Sequence, residues 1–297
     1  MKAWMRILTV SLSNGRKKLV FGDKDETTDY NFDINVSGSK FMSSLKDTCT
    51  INISNLPYET IVQLIDGKFY EVEVQCGYKS FGVITIFKGQ VLYISNILES
   101  DRTHTACILC SSSLLAKFGQ SRLNLTLNSG INTYTALKYI SKKAGIKSEN
   151  ISKTLKASFI SNQKTGNETA ANWLNRLSTD NEFLIVNSNG TDNASFSMFD
   201  ASKGKRRVIK LKSDFINLDG GFPKLTKDGL DLSVMPTFTF MCGDTIQIDN
   251  SLIDISVTNV EGVEGNPGYY LDKEGCYMIF EMNYNLEKMQ LYKKIQL

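Results

Sequence analysis

His104 is the one histidine of the chain, and it stands in the spacing His-x-x-Cys-x-x-Cys with Cys107 and Cys110. Zinc would be the natural ligand of such a triplet, and a Cys–His or Ser–His–Asp relay would also have to use this one imidazole. The surrounding run, THTACILC, reads as a strand, in which neighbouring side chains alternate between faces. Cys107 and Cys110 then point opposite ways and cannot chelate one ion. His104 lies among Arg102, Thr103 and Thr105 and reads as a surface histidine on an exposed strand face. Carboxylates cluster twice, as Asp23, Asp25, Glu26 and Asp29 in DKDETTD and as Asp272 and Glu274 in LDKEGC. Acid–base work on a glycoside needs one carboxyl raised by an apolar setting. Both runs are polar throughout, so they read as solvated loops.

Phosphate chemistry fares no better. No G-x-x-x-x-G-K-[ST] or G-x-G-x-x-G stretch occurs. The basic run KGKRR at residues 203–207 reads as a solvated linker at a domain join. Trp173, Tyr269 and Tyr270 do not interleave with Lys and Arg as a base-stacking platform would. The expectation is therefore a protein with no catalytic, cofactor-binding or metal-ligating residues: not an enzyme, and needing no cofactor.

The totals agree with that reading. The 297 residues allow one large domain or two to three small ones, and 41% hydrophobic with 22% charged residues suffice for buried cores. Lys+Arg 34 against Asp+Glu 31 leaves a net charge of +3, too balanced to advertise nucleic-acid binding. No apolar run approaches the roughly 20 residues that span a bilayer. At the N-terminus Leu8, Val10 and Leu12 alternate with Thr9 and Ser11, which suits a strand better than a signal peptide. Cys49, Cys76, Cys107, Cys110, Cys242 and Cys276 sit in strand-like stretches and read as small core thiols kept reduced. Sequons such as those at Asn52 and Asn124 fall inside strand-like runs and are discounted as glycosylation sites.

Three regions differ in periodicity. Residues 1–115 are β-rich. Asn14-Gly15 divides two strand-like runs, a hairpin signal because both residues tolerate positive φ. NFDINV alternates Phe32, Ile34 and Val36 with polar residues, and TCTINI does the same with Cys49, Ile51 and Ile53. Pro57 opens a short helix with Ile61, Leu64 and Ile65 on one face. Tyr70, Val72, Val74 and Cys76 then alternate with Glu71, Glu73 and Gln75, and Cys76-Gly77-Tyr78 turns into a long second strand. Such a series predicts a closed barrel or small sandwich. Residues 116–203 are mixed. One helix carries Ala136, Leu137, Ile140 and Ala144 and stops at Gly145; another carries Ala170, Trp173, Leu174 and Leu177; a hairpin follows around Asn189-Gly190. Residues 204–297 return to strands in FTFMCGDTIQI, LIDISVTNV and CYMIFEMNYNL, which predicts a second barrel. The fold class expected is mainly β, two barrels with an α+β insert.

The order of these signals resembles phage tail baseplate hub proteins. The resemblance runs through an alternating strand, TINISNL leading to the helix at residues 57–65, the Cys76-Gly77-Tyr78 hairpin, IFKGQV at residues 86–91, and closure near THTACILC. ALKYISKKAGI is similar to the start of the hubs' inserted domain. GFPKLTKDGLDLSVMPTFTFMCGDTIQI, with Pro236 and Cys242-Gly243-Asp244 at a turn, is similar to the entry of their second barrel, and CYMIFEMNYNLEKMQLYKKIQL to its closing strands.

That resemblance implies a structural protein with two tail-tube-like β-barrels in one chain. Three copies would form a homotrimer whose six barrels match a sixfold tail tube above and a threefold spike or tip below. Its partners would be the tube protein, the spike or tip protein and other baseplate proteins, with no membrane segment. Genomic DNA would cross the ring's channel during ejection without specific binding. The place implied is the virion tail baseplate, assembled in the host cytoplasm. Two alternatives stay open: a tail-associated cell-wall hydrolase, and a carbohydrate-binding module using exposed Tyr and Trp.

Overall fold

The computed structural model describes residues 6–22, 33–41, 47–78, 82–100, 103–112, 119–151, 153–157, 159–181, 183–188, 195–200, 207–213, 216, 222–226, 229–234, 240, 242–254, 271–285 and 289–292. β1 (Arg6–Ser13) and β2 (Lys18–Gly22) form the expected hairpin. Asn14 Oδ1 accepts from the backbone N–H groups of Arg16 at 3.1 Å and Lys17 at 2.7 Å, and Gly15 sits at φ 80°. The side chain of Asn14 thus substitutes for part of the turn's backbone bonding.

β3 (Ile34–Phe41) and β4 (Thr48–Ser54) bury Ile34, Val36, Cys49, Ile51 and Ile53 as their alternation predicts; Phe32 lies outside the described residues. α1 (Tyr58–Asp66) follows Pro57 and buries Ile61 and Leu64. Ile65, expected on the same face, is exposed. The helix meets the sheet along one narrow stripe, and Ile65 falls beyond its edge.

β5 (Glu71–Tyr78) buries Val72, Val74 and Cys76. Tyr70, expected beside them, is exposed. It precedes the strand, and its backbone is held by Ser13 O and by the N–H of Val91, so the alternation does not reach its side chain. β6 (Gly82–Leu98) is 17 residues long, and β7 (His104–Ser112) returns beside it.

β8 (Arg122–Leu127), α2 (Thr133–Ala144), β9 (Lys147–Ile151), β10 (Lys164–Thr169), α3 (Ala170–Asn181), β11 (Phe183–Ser188) and β12 (Ser195–Asp200) build a mixed module. Asn132 caps α2 by accepting from Thr135 N at 3.3 Å, and Gly145 ends it in the left-handed region. Leu123, Leu125, Leu127, Leu137, Ile140, Trp173, Leu174 and Leu177 form a core of their own. Trp173 Nε1 donates to Leu123 O at 3.2 Å, so the indole fills this core without burying an unmet donor. β11 and β12 pair antiparallel as expected, with Asn189-Gly190 outside the described residues.

The C-terminal part contributes β13 (Val208–Lys210), β14 (Lys224–Thr226), β15 (Gly229–Val234), β16 (Thr245–Gln247), β17 (Cys276–Met278), β18 (Glu281–Asn285) and β19 (Met289–Tyr292). The LIDISVTNV run, expected as a strand, starts at the end of a short 3-10 turn (Asn250–Leu252), and its residues 255–260 lie outside the described residues.

The molecule is mainly β with an α+β insert. Its N- and C-terminal strands share one eleven-stranded sheet in the order β14-β15-β19-β18-β3-β4-β7-β6-β5-β1-β2. The join is β18 against β3, in the register Glu281↔Phe41 to Asn285↔Ser37. One apolar core runs beneath both sets of strands, from Val10 and Val74 to Val234 and Met282. Ring closure of either set is not among the pairings of the described residues.

Candidate assembly surface

The long β6 is the feature that points outward. β5 covers it only from Gly82 to Gln90. Val91 N then donates to Tyr70 O at 3.0 Å, and from Leu92 to Leu98 the strand's pairing among the described residues is with β7 alone. Two irregularities shape this strand. Ile86 is the extra residue opposite Val74/Gln75, and Leu92 is the extra residue opposite Leu109/Cys110. Bulges bend a strand and strengthen its twist. The second one falls just past the pairing of Gln90 with Glu71, the first residue of β5.

Beyond that bend the side chains are apolar and exposed. Leu92, Tyr93 and Leu98 are exposed at 59%, 60% and 62%; Ile97 and Leu109 share the face of Tyr93, and Leu98 lies on the other face. A strand with an open hydrogen-bonding edge and large apolar side chains is a template for pairing with another chain. His104 lies at the end of this hairpin. Its Nδ1 is 3.1 Å from Asn96 Nδ2, and its ring stands 5.4 Å from that of Tyr58. It is a packing residue of the hairpin tip.

Behind the hairpin lies a buried polar seam that sequence reading missed. Lys40 is 4% exposed and donates from Nζ to Ile86 O at 2.5 Å. That carbonyl belongs to the bulged residue, so the first bulge and the buried ammonium serve each other. The ammonium also sits 5.6 Å from the Tyr284 ring centroid, and Cys242 Sγ lies 3.5 Å from Lys40 O. Burial holds the Lys40 pKa below its usual value, with the charge of Asp47 opposing. Burial likewise pushes the Cys49 thiol up to about 12 and raises Cys110, Cys242 and the Tyr284 phenol. Tyr284 donates to Thr48 O at 3.1 Å, tying β18 to β4 across β3. The signal for Lys40 was parity: it shares an even register with Ile34 and Val36, which places it on the buried face.

The residues with chemical potential scatter. Cys110 is buried opposite Cys49, whereas Cys107, on the other face, is half-buried opposite Asn52. Among the described residues no group of three His, Cys, Asp or Glu could hold a metal ion. Asp272 serves its own turn, accepting at Oδ2 from Glu274 N at 3.1 Å and Cys276 N at 2.8 Å. Asp23, Asp25, Glu26 and Asp29 lie outside the described residues, as do residues 203–206 of the basic run. Arg207, read as linker, instead pairs with buried Asp244 at 2.7 Å, because a carboxylate at 2% exposure needs a cation. Among the described residues no helix is long and apolar enough to cross a membrane.

No protein-family model and no curated protein matches the chain. Solved structures do. A 43 kDa tail protein of prophage MuSo2 from Shewanella oneidensis superposes with TM-score 0.58 at 9% identity, covering 96% of both chains. A tail protein from Neisseria meningitidis MC58 gives 0.54 at 8% identity, over 99% of this chain and 97% of that one. The E. coli c3393 protein, a type VI secretion component described as structurally similar to T4 tail proteins gp27 and gp5, gives 0.51 at 9% identity. It is covered to 77%, and this chain to 92%. Identities this low speak for fold and not for function. The chain has the fold of phage tail proteins and of a type VI secretion component.

Proposed function

We propose that this protein is a structural hub of a phage tail baseplate. Three copies form a ring that adapts a sixfold tube to a threefold spike or tip and surrounds the channel through which DNA leaves. The observation that carries the reading is the likeness to the MuSo2 tail protein over 96% of both chains, which leaves neither with a large unmatched domain. The open stretch of β6 with its exposed apolar row supports it, since a chain built to be tiled needs such an edge.

On this reading the strands of residues 1–115 and 204–297 form two tube-like barrels fused through the β18–β3 join, and residues 116–203 are an outward module. The protein is not an enzyme and carries no cofactor. Its partners are the tube, the spike or tip and other baseplate proteins, and its place is the virion tail after assembly in the host cytoplasm. A near-neutral balance of +3 suits a conduit, because each phosphate contact adds salt-dependent affinity for DNA.

The test is the oligomeric state by light scattering, alone and with tube and spike proteins. A trimer, lost in a Tyr93→Glu/Ile97→Glu variant that keeps its circular dichroism, is the expected result. A chain that stays monomeric with those partners present overturns the reading. Peptidoglycan breakdown by the purified protein would overturn it in favour of a hydrolase.

A further inference from the structure

Charge is unevenly divided along this balanced chain. Residues 116–203 hold eleven Lys and Arg against six Asp and Glu, a net of +5. Residues 204–297 hold eleven against thirteen, a net of −2, and residues 1–115 hold twelve against twelve.

The basic excess has a structured face. α2 contains no acidic residue. Ala136, Leu137 and Ile140 are used in the insert's core, so the helix has no apolar stripe left for a membrane. Its exposed residues are Thr135, Lys138, Tyr139, Lys142 and Lys143. Lys138 and Lys142 stand four apart, where like charges repel. Lys138 and Lys156, from two different elements, both lie over the Tyr134 ring, at 4.7 and 5.2 Å, and Lys143 lies over Tyr139 at 5.7 Å. Ammonium groups therefore occupy the ring faces that would stack on bases, which argues against single-stranded nucleic acid as the occupant. What the face offers is a set of ammonium and phenol donors, the complement of carboxylates.

Carboxylates of that kind stand exposed in the C-terminal part. Asp249, Asp272 and Glu274, with the exposed Lys273 among them, are brought together by Asn250 Nδ2 donating to Asp272 O at 2.8 Å and Gln247 Nε2 donating to Glu274 O at 3.2 Å. Within its own chain, α2 packs on α3, β8, β9 and the Lys153–Lys156 turn, all inside the insert.

We infer that the lysine–tyrosine face of α2 docks on the acidic C-terminal part of a second copy, head to tail. The inference rests on the hub reading and adds to it the surface that orders the copies. Because the two patches differ, the contact repeats in one direction rather than forming a two-fold pair, and it gives a ring where the rotation between copies closes. Rim charges set association rate and salt sensitivity more than final tightness.

The experiment is sedimentation velocity of the full chain at about 50 and 500 mM salt, with circular dichroism as the folding control. Lys138→Glu/Lys142→Glu/Lys143→Glu and Asp249→Lys/Glu274→Lys are each expected to self-associate at least tenfold more weakly at low salt. Mixing the two variants restores one intact contact per mixed pair and so recovers association in part. Self-association unchanged in both variants, or two weakened variants that do not recover on mixing, overturns the inference while leaving the hub reading intact. A wild-type chain that is monomeric even with tube and spike proteins overturns the hub reading and this contact with it. Tight binding of a DNA duplex lost in the lysine variant, with self-association unchanged, reassigns the face to nucleic acid.

Discussion

Gly38 is the tightest point of the join between the N- and C-terminal strands, and replacing it with alanine tests whether that join carries the fold. A Cβ built there would lie 2.3 Å from Thr48 O, 2.3 Å from the Tyr284 hydroxyl oxygen and 2.4 Å from its Cζ. Ordinary contact is about an ångström longer. Thr48 O belongs to the backbone of β4, and Tyr284 is pinned by its own 3.1 Å bond to that same oxygen. Neither can retreat alone. Overpacking a core costs about 1–3 kcal/mol, and losing a buried hydroxyl–carbonyl bond adds roughly 1–2 kcal/mol. Gly38→Ala is therefore expected to destabilise by about 2–5 kcal/mol. Gly119 is the control, since a methyl added there would meet nothing within 4 Å. Its alanine variant should stay within about 1 kcal/mol of the parent. Urea unfolding followed by circular dichroism reads both. Tyr284→Leu combined with Gly38→Ala should cost less than the two changes summed, because the cavity left by the ring accepts the methyl. A Gly38→Ala midpoint indistinguishable from the parent, or strict additivity in the double variant, refutes the reasoning.

Three further outcomes follow from the same geometry. The raised thiols of Cys49, Cys110 and Cys242 keep their protons in the folded state above pH 9, where the unfolded chain releases them. Stability present below that pH is then lost as pH rises, by about 1.4 kcal/mol per pH unit for each thiol. Lys40, lowered by burial, works the other way but as a single group, so the urea midpoint should fall between pH 9 and 10. A rise would contradict this, and Cys→Ala at the three positions should abolish the fall. Val74→Asp places an unpaired charge at a fully buried site and should prevent cooperative unfolding, whereas Glu71→Lys on the exposed face should fold as the parent does; equal behaviour in circular dichroism would reverse the assigned faces. Trp173→Phe removes the donor to Leu123 O and should cost about 1–3 kcal/mol, read as faster hydrogen exchange in the insert, with protection of β3 and β4 unchanged.

Much of this protein was legible in its sequence where a rule is local. Period-two alternation placed Val72, Val74, Cys49, Ile51 and Ile53 inward, because a pleated strand offers neighbouring side chains no other choice. Asn14-Gly15, Pro57 and Gly145 marked turns and helix ends because each position needs a special φ or lacks a donor. The opposition of Cys107 and Cys110 followed from the same alternation. Where an element ended, the rule failed. Tyr70 precedes its strand and Ile65 lies past the helix's contact stripe, so both face water although their patterns continue.

Only tertiary structure decided the rest. No local pattern says that β18 lies beside β3, since strand partners are chosen by edges that meet after the chain has travelled more than two hundred residues. The buried Lys40 depends on that meeting: its ammonium lies near the Tyr284 ring and its backbone carbonyl meets Cys242 Sγ, both from the far end of the chain, and its charge is met by the carbonyl of the bulged residue in β6. That β6 from Leu92 to Leu98 pairs with β7 alone among the described residues is likewise a matter of where β5 begins, a difference between two strands rather than a property of either. Alternation and turn chemistry act within a few residues and so are written in the order of the amino acids; edges, seams and unmatched lengths arise between elements, and only the folded chain contains them.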